Sequence, residues 1–184
     1  ALQGPASEAV IGKYHPQIKN MKFMDVETLT IDGAECWISR SGYTGEDGFE
    51  ISIPAEAAEP ITRSILSNQN VEFIGLGARD SLRLEAGLCL YGHDIDQATT
   101  PVEASLTWAI QKARRSNGSR ASGFIGSEII LKQLAGGTNK KRVGFLPQTR
   151  APMREGVEIF GTETSKEAIG KITSGGYGPT VGYP

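Results

Sequence analysis

The sequence has little of what marks a metal centre, a disulfide scaffold or a nucleic-acid interface. Its two cysteines, Cys36 and Cys89, are too few for a fold stabilised by disulfide bonds, and they indicate reduced thiols in an intracellular protein. The two histidines, His15 and His93, stand at no metal-ligand spacing from the cysteines, so we predict no metal. A net charge of -2 offers no broad basic field, which argues against a nucleic-acid partner.

Long apolar runs are also absent. No stretch approaches the roughly 18 residues that a membrane-spanning helix needs, so the sequence predicts no membrane interaction. The hydrophobic fraction of 39% and the charged fraction of 22% are typical of a soluble globular protein. At 184 residues the chain can form one ordinary domain or two small ones, with a sizeable core.

What the chain does have is a glycine-rich acidic stretch at residues 41–50 (SGYTGEDGFE), between two segments with strand character. A hairpin connection with solvated acids is one interpretation of it. Glu50 fits that interpretation poorly, because it lies within the outgoing strand, on the face opposite Phe49 and Ile51. A carboxylate held on a strand can accept two parallel hydrogen bonds, which suits an amidine-like or aminopyrimidinone edge of a ligand. Glu50 is therefore a candidate binding residue.

Hairpins and helices are predicted on both sides of this stretch. Asp32-Gly33 is typical of a two-residue hairpin turn, and Pro60 predicts a kink or a late start in its helix. The predicted strands are residues 21–31, 34–39, 49–53 and 71–74, and the predicted helices are residues 6–14, 55–67 and 78–86, the last with Gly87 as its C-cap. This order predicts an α+β fold in which an antiparallel sheet carries helices on one face.

The composition changes at residues 112–122 (KARRSNGSRAS), which are basic and rich in serine. We interpret this segment as a solvated linker, and a docking patch for an acidic partner is the alternative. The domain boundary is placed within it, giving domains 1–115 and 116–184. Glycines and short apolar runs beyond it suggest a small barrel or sandwich, with a helix at residues 126–134 that has Ser127 as N-cap and strands at residues 142–146, 157–160 and 167–173.

Five motifs appear in an order that resembles one known family. They are residues 1–5 (ALQGP), 42–50 (GYTGEDGFE), 77–92 (GARDSLRLEAGLCLYG), 100–103 (TPVE) and 173–176 (TSGG). Together they resemble the glycine cleavage system T protein, an aminomethyltransferase family. The resemblance implies a ferredoxin-like sheet-and-helix layer within a folate-binding domain, followed by the start of a C-terminal β-barrel. It also implies that both ends of the family's longer chain lie outside this sequence.

The same resemblance implies two site residues. Glu50, which closes the GYTGEDGFE motif, would bind folate, and Arg79 of the GARD motif would contact substrate. A pterin presents an amino group and a ring N–H side by side, and these match the two oxygens of a carboxylate. Arg79 can bind the carboxylate tail of folate or hold an acid of the pocket, and the alternative is an ion pair on the helix surface with Asp80 or Glu85. Weaker aromatic candidates for a pocket wall are Tyr43, Tyr91 and Trp108.

In function, the resemblance implies transfer of a one-carbon unit from an aminomethyl group on the lipoyl arm of H protein to tetrahydrofolate, with release of ammonia. The implied co-substrate is tetrahydrofolate, the implied protein partner is lipoylated H protein, and no metal is involved. The family's catalytic aspartate lies in the N-terminal part, outside this sequence, so the chain alone is expected to be inactive. We expect the bacterial cytoplasm as its location, with the mitochondrial matrix as the alternative.

Two other functions stay open on the sequence. One is a relative within the same superfamily, namely a folate-dependent demethylase module or a protein of tRNA modification or iron–sulfur assembly. The other is a non-catalytic binding domain, which is attractive because the catalytic aspartate is not among these residues. Turnover with lipoylated protein distinguishes the first from an aminomethyltransferase, and folate titration tests the second.

Overall fold

A computed structural model describes residues 1–184 and divides them into two units, Ala1–Leu88 and Cys89–Pro184. The first unit contains Glu50 and Arg79, and the second contains the short strands of the later part. None of the helices is both long and apolar enough to cross a membrane.

The sheet of the first unit starts from the predicted hairpin. Strands β2 (Val26–Ile31) and β3 (Ala34–Ser39) pair antiparallel along their whole length. Their turn residues, Asp32 and Gly33, have φ angles of 46° and 86°, the left-handed conformation that a tight hairpin turn requires. The hairpin prediction is confirmed, although β2 begins later than residue 21.

Two further strands complete this sheet. Strand β4 (Gly48–Ser52) pairs with β3, and the short strand β1 (Leu2–Gln3) pairs with β4. The resulting order is β1-β4-β3-β2, and every pairing is antiparallel. The first residues of the chain are therefore joined directly to the strand that carries Glu50.

The two faces of the sheet have different surroundings. Residues that face each other in an antiparallel pair point to the same side of the sheet. Ser39 pairs with both Val26 and Glu50, so all three lie on one face, together with the exposed Trp37. The opposite face is apolar and buried, and it includes Leu29, Ile31, Cys36, Ile38 and Phe49. Glu50 thus stands on the open face, as the alternation of β4 predicts.

Helices cover the buried face. Helix α1 (Ser7–Ile11) contributes Val10 and Ile11 to the core, and helix α2 (Ala55–Leu66) contributes Ile61 and Ile65. The predicted layer of antiparallel sheet and helices is confirmed.

Pro60 lies inside helix α2, which begins at Ala55. The alternative of a late helix start is therefore wrong. Pro60 is the sixth residue of the helix, beyond the four N-terminal donors that lack intrahelical partners, so it removes one i→i−4 hydrogen bond of the helix.

Helix α3 (Leu76–Glu85) carries Arg79 and ends as the sequence predicts. Gly87 has a φ of 70°, its N–H donates to Leu84 O at 2.9 Å, and Leu88 N–H donates to Arg83 O at 2.8 Å. These two bonds form a Schellman motif, which satisfies the last carbonyls of the helix.

Residues 71–74 do not form the predicted strand. The sheet ends at β1 and β2, and no strand runs beside this segment to accept its backbone hydrogen bonds. Phe73 and Ile74 are exposed by 78% and 62% of their surface. These residue types favour strands, but no neighbouring strand is available for pairing, and the prediction therefore fails.

The second unit has less regular structure. Short 3-10 helices span Thr107–Ala109 and Lys112–Arg114, followed by helix α4 (Ser127–Gly136). Strands β5 (Glu158–Phe160) and β6 (Ala168–Lys171) form an antiparallel pair with an irregularity in register between Ile159 and Phe160.

Two local predictions for the second unit are wrong. Gly126, with a φ of 78°, is the N-cap of helix α4, and Ser127 is its first residue. No strand forms at residues 142–146, because Arg142 is bound by other groups: its N–H donates to Glu103 O at 2.7 Å, and its carbonyl accepts from Ser105 Oγ at 2.7 Å. These contacts replace the bonds of a strand ladder.

The basic segment at residues 112–122 is folded on itself. Arg114 Nη1 donates to the carbonyls of Arg120 and Ser122, and Arg115 Nη2 donates to Thr107 O at 2.7 Å. Arg114 and Arg115 therefore bind local backbone. The predicted boundary between domains 1–115 and 116–184 remains a prediction.

Candidate functional site

The candidate site is built on the loop that joins β3 to β4, and an arginine closes the base of this loop. Arg40 Nε and Nη2 donate to the two carboxylate oxygens of Asp47 at 3.0 and 2.6 Å, and Nη2 also donates to Glu8 at 2.7 Å. Through these hydrogen bonds the guanidinium lowers the pKa of the Asp47 carboxyl below its ordinary value of 3.8, and Asp47 in turn raises the pKa of Arg40. Asp47 is thus an ion-pair partner rather than a solvated turn acid.

Gln3 of β1 holds the middle of the loop. Its Nε2 donates to Ser41 O at 3.0 Å, and its Oε1 accepts from Thr44 Oγ1 at 3.1 Å. A Cβ on either Gly42 or Gly48 would collide with the amide of Gln3. A side chain at Gly42 or Gly48 would therefore have to displace the Gln3 amide from its hydrogen bonds with Ser41 and Thr44.

The third glycine of the loop packs against helix α3. Gly45 has a φ of 79°, and a Cβ there would lie 2.5 Å from the Cβ of Ala86. No side chain can be accommodated at this distance without movement of one of the two segments. The glycine-rich loop thus rests on the C-terminal end of the helix that carries Arg79.

Glu50 is exposed, and its side chain is bound on one oxygen only. Ser41 Oγ donates to Glu50 Oε2 at 2.6 Å, a length typical of a hydroxyl bound to a carboxylate. Glu50 Oε1 accepts no hydrogen bond from the protein. The carboxylate is therefore held in place and keeps acceptor capacity for a ligand.

Arg79 contacts Tyr43 of the loop. Its guanidinium carbon lies 4.7 Å from the centre of the Tyr43 ring, a cation–π contact. The alternative of a surface ion pair for Arg79 is not found, because Asp80 binds Arg83 instead, at 2.6 and 2.8 Å. Arg79 is exposed and has no carboxylate partner, so its charge is available to an anionic group.

The loop thus connects the two residues to which the sequence assigns binding. Ser41 holds Glu50, and Tyr43, two residues later, holds Arg79. The first unit therefore presents a hydrogen-bond acceptor on β4 and a cation on α3, and each contacts a residue of the same loop. Such a combination suits a ligand that carries N–H donors and, elsewhere, a negative charge.

Tyr91 and Trp108 belong to the second unit. Both are exposed, by 64% and 75%, and Tyr91 pairs with Ile95 in an isolated bridge. A cavity of about 510 Å³ in this unit is lined by neither of them; its lining includes Val102, Ser105, Gln133 and Lys141. Their role in a pocket wall stays a prediction. No group of three or more His, Cys, Asp or Glu side chains is placed to hold a metal ion.

Three residues of this site were missed by reasoning from the sequence. They are Gln3, Ser39 and Ser41: Gln3 and Ser41 bind segments further along the chain, and Ser39 acts through Ser41, two residues away. The spacing of Ser39 and Ser41 is the one local signal, because residues two apart in a strand share a face. Only the register of β3 against β4 shows that this face is the one that carries Glu50.

Comparison with known families gives two matches along the chain. The model of the GCVT N-terminal domain matches residues 1–114. The model of the glycine cleavage T-protein C-terminal barrel domain matches residues 140–184.

Individual relatives agree with these matches. The mitochondrial aminomethyltransferase of Solanum tuberosum is 50% identical over 184 residues, which cover 98% of this chain and 44% of the relative. The probable mitochondrial aminomethyltransferase of Schizosaccharomyces pombe is 47% identical, with 99% of this chain and 46% of the relative covered. The crystal structure of the glycine cleavage system aminomethyltransferase T from Bartonella henselae is similar with a TM-score of 0.80 and 42% identity, over 96% of this chain and 46% of that one. The chain thus spans less than half the length of the relatives it matches.

Proposed function

The chain belongs to the glycine cleavage T-protein family, and on that premise we propose that it forms part of a tetrahydrofolate-dependent aminomethyltransferase. This enzyme moves a one-carbon unit from the aminomethyl group on the lipoyl arm of H protein to tetrahydrofolate. Methylene-tetrahydrofolate forms, ammonia leaves and the lipoyl arm remains as the dihydro form. The names of the relatives, each called an aminomethyltransferase, support the proposal.

The state of Glu50 is the observation that carries this function. Its carboxylate is fixed by Ser41 through Oε2 and has no protein donor on Oε1. A carboxylate offers about four lone-pair positions, so one bond from Ser41 leaves room for the amino group and ring N–H of a pterin. Donors of that kind would form charge-assisted bonds with Glu50 and orient the ring.

Arg79 is proposed to bind the carboxylate tail of the folate. Its guanidinium has no acidic partner in the protein and lies against the ring of Tyr43. An arginine braced on an aromatic ring keeps its planar donors available for a carboxylate. The other role considered for Arg79, holding an acid of the pocket, has no partner among residues 1–184.

These residues are assigned to binding and orientation. Transfer needs the folate nitrogen next to the aminomethyl carbon, and a carboxylate to handle the proton or the positive charge that develops. We assign the handling of the proton or of the positive charge to no residue of this chain. The family's catalytic aspartate is the proposed group for it.

The proposed partner is lipoylated H protein. The description of the structural relative, an aminomethyltransferase of the glycine cleavage system, supports this proposal. The proposed domains are residues 1–115 and 116–184, in agreement with family matches that end at residue 114 and resume at residue 140.

For the compartment, bacterial cytoplasm remains the proposal, supported by the relative from Bartonella henselae. The names of the plant and yeast relatives support the mitochondrial matrix as the alternative.

The test is a comparison of two ligands on the complete protein. Glu50→Gln keeps the shape of the side chain but removes its charge and one acceptor, so the Kd for tetrahydrofolate is expected to rise about 10- to 150-fold. The same variant should weaken a tetrahydropterin that lacks the tail, because Glu50 is proposed to bind the ring. Arg79→Met should weaken tetrahydrofolate and leave the tail-free pterin unaffected. Kd values are measured by calorimetry without oxygen.

Glu35→Gln is the matched control for the Glu50 variant. Glu35 is an exposed glutamate on the same face of the sheet, and its side chain has no partner. Its substitution should leave both Kd values unchanged. An unchanged tetrahydrofolate Kd in Glu50→Gln, in a protein with the wild-type unfolding midpoint, contradicts the assignment of the site.

A further inference from the structure

A line of two hydroxyls leads to Glu50. Ser39 Oγ and Ser41 Oγ lie 2.8 Å apart, and Ser41 Oγ lies 2.6 Å from Glu50 Oε2. An ionised carboxylate only accepts hydrogen bonds, so the single hydroxyl hydrogen of Ser41 points to Glu50. Ser41 can then only accept from Ser39, and both hydrogens point along the line toward the carboxylate.

The strand register explains why these three side chains meet. Ser39 of β3 pairs directly with Glu50 of β4, and both point to the open face of the sheet. Ser41 lies two residues beyond Ser39, just after β3 ends, and its Oγ comes within 2.8 Å of Ser39 Oγ. Arg40, between them, turns the other way and binds Met21 O, Glu8 and Asp47.

The backbone of Ser41 is fixed independently of its hydroxyl. Gln3 Nε2 donates to Ser41 O at 3.0 Å, and the Gln3 amide fills the space beside Gly42 and Gly48. The hydroxyl of Ser41 is therefore presented to Glu50 from a rigid support. Its removal changes the surroundings of the carboxylate more directly than the shape of the loop.

We propose that Ser41, supported by Ser39, is a positioning residue that holds the Glu50 carboxylate in its ligand-binding orientation. The role rests on the proposed binding of a pterin to Glu50. Without this bond an exposed glutamate samples several rotamers, and ordering its side chain on ligand binding costs conformational entropy. The bond from Ser41 orders the side chain before the ligand binds, so that cost is not added to the free energy of binding. Ser41 uses one acceptor position on Oε2, so it orients the group without closing it to ligand.

The experiment compares valine with threonine at position 41 of the complete protein. The two side chains have nearly the same shape, and only threonine keeps the hydroxyl. Ser41→Val is expected to raise the Kd for tetrahydrofolate about 2- to 10-fold, and Ser41→Thr should bind within a factor of two of wild type. Ser39→Ala, one step further from the carboxylate, should have a smaller effect than Ser41→Val. The unfolding midpoint is measured for each variant.

A second set of variants separates this role from the proposed function. In a Glu50→Gln protein, Ser41→Val should add little to the loss already caused by the glutamine, since the two changes act on the same interaction. If Glu50→Gln weakens binding and Ser41→Val does not, the positioning role is wrong and the function stands. If Glu50→Gln leaves binding unchanged, both are wrong.

Equal losses in Ser41→Val and Ser41→Thr would show that bulk at this position matters and the hydroxyl does not, which also overturns the role. Should both β-branched variants lower the unfolding midpoint, Ser41→Ala provides the same test, because it removes the hydroxyl and adds no atom. Wild-type affinity in a folded Ser41→Ala protein then contradicts the proposal.

Discussion

In the unit Ala1–Leu88, eleven buried apolar side chains form one cluster between the sheet and its helices. In Cys89–Pro184, the buried apolar residues are only Val102, Ala104, Ile130 and Ile172. The second unit relies instead on side chains bound to other segments. Asp94 accepts from Leu90 N–H, Thr173 Oγ1 and Ser174 Oγ at 2.8, 2.5 and 2.8 Å, and Thr100 Oγ1 donates to Gln133 at 2.6 Å.

The difference bears directly on the site. Apolar burial is insensitive to direction, whereas hydrogen bonds fix positions only when every partner is in place. Glu50 stands on β4, whose Phe49 belongs to this larger core, so its strand has apolar support. The loop beside it is held by the polar contacts of Gln3 and Arg40. Tyr91, by contrast, belongs to a turn of the second unit, Leu90 to Asp94, that polar contacts hold closed.

The strongest test of this contrast removes one core side chain from each unit. Phe49→Ala takes a fully buried ring from the first unit and is expected to lower the free energy of unfolding by about 3–5 kcal/mol. Ile130→Ala, at a position with 9% exposure in the second unit, should cost about 2 kcal/mol. Urea unfolding gives the free energies, and hydrogen exchange shows which unit opens. Equal costs would mean that the two cores are equivalent.

A smaller effect is expected from Asp94→Asn, which tests the polar support of the second unit. The amide keeps the size of the carboxylate but loses the charge and one acceptor, so we expect a cost of about 1.5–3 kcal/mol. Amide exchange at residues 172–175 should accelerate, because Thr173 and Ser174 lose their anchor.

Asp96→Asn is the control for that variant. Asp96 is exposed and bonds only within its own turn, to Ala98 and Thr99, so it should change stability by much less than Asp94→Asn. Similar losses in the two variants would show that the contacts of Asp94 to residues 173 and 174 contribute little.

The sequence predicted what depends on neighbouring residues. Asp32-Gly33 specifies a turn by its own φ preferences, Gly87 ends its helix in the same way, and the alternation around Phe49 assigns Glu50 to the open face. The motifs were sufficient to assign the family. Each of these signals is complete within a few residues.

Most of the failures share one physical cause, which is dependence on a distant segment. Residues 71–74 have the composition of a strand, but no strand lies beside them to pair with. The hydroxyls of Ser39 and Ser41 gain a role only from the register of β4, and Gln3 only from a loop about forty residues away. Such contacts are set by the assembled sheet, and the spacing of Ser39 and Ser41 is the only local sign of them.

The smallest predicted effect concerns the ion pair at the base of the loop. The pKa of Asp47 is lowered in the folded protein, so its contribution to stability is present above its ordinary value of 3.8 and is lost as the pH falls through the folded-state value. Asp47→Asn should therefore be less stable than wild type at pH 7, by about 1 kcal/mol or less for so exposed a pair, and the gap should close below pH 4.

Glu46→Gln, at the neighbouring position, serves as the control. The Glu46 side chain has no ion pair, so its substitution should leave the free energy of unfolding at pH 7 nearly unchanged. A gap for Asp47→Asn that persists into acid would show that the Arg40 contact does not depend on the ionised carboxylate. The large core of the first unit would then account for the loop's position without the ion pair.

The Gln3 side chain, lodged between Gly42 and Gly48, also constrains how this protein can diverge. A methyl group gained at residue 42 or 48 requires the amide of residue 3 to move away from Ser41 and Thr44, while a smaller residue 3 leaves a gap for as long as both glycines remain. Residue 3 lies about forty residues before the two glycines, and yet a change at one of these positions alters what the others can accept. Substitutions at the three positions should therefore be correlated among descendants of this sequence.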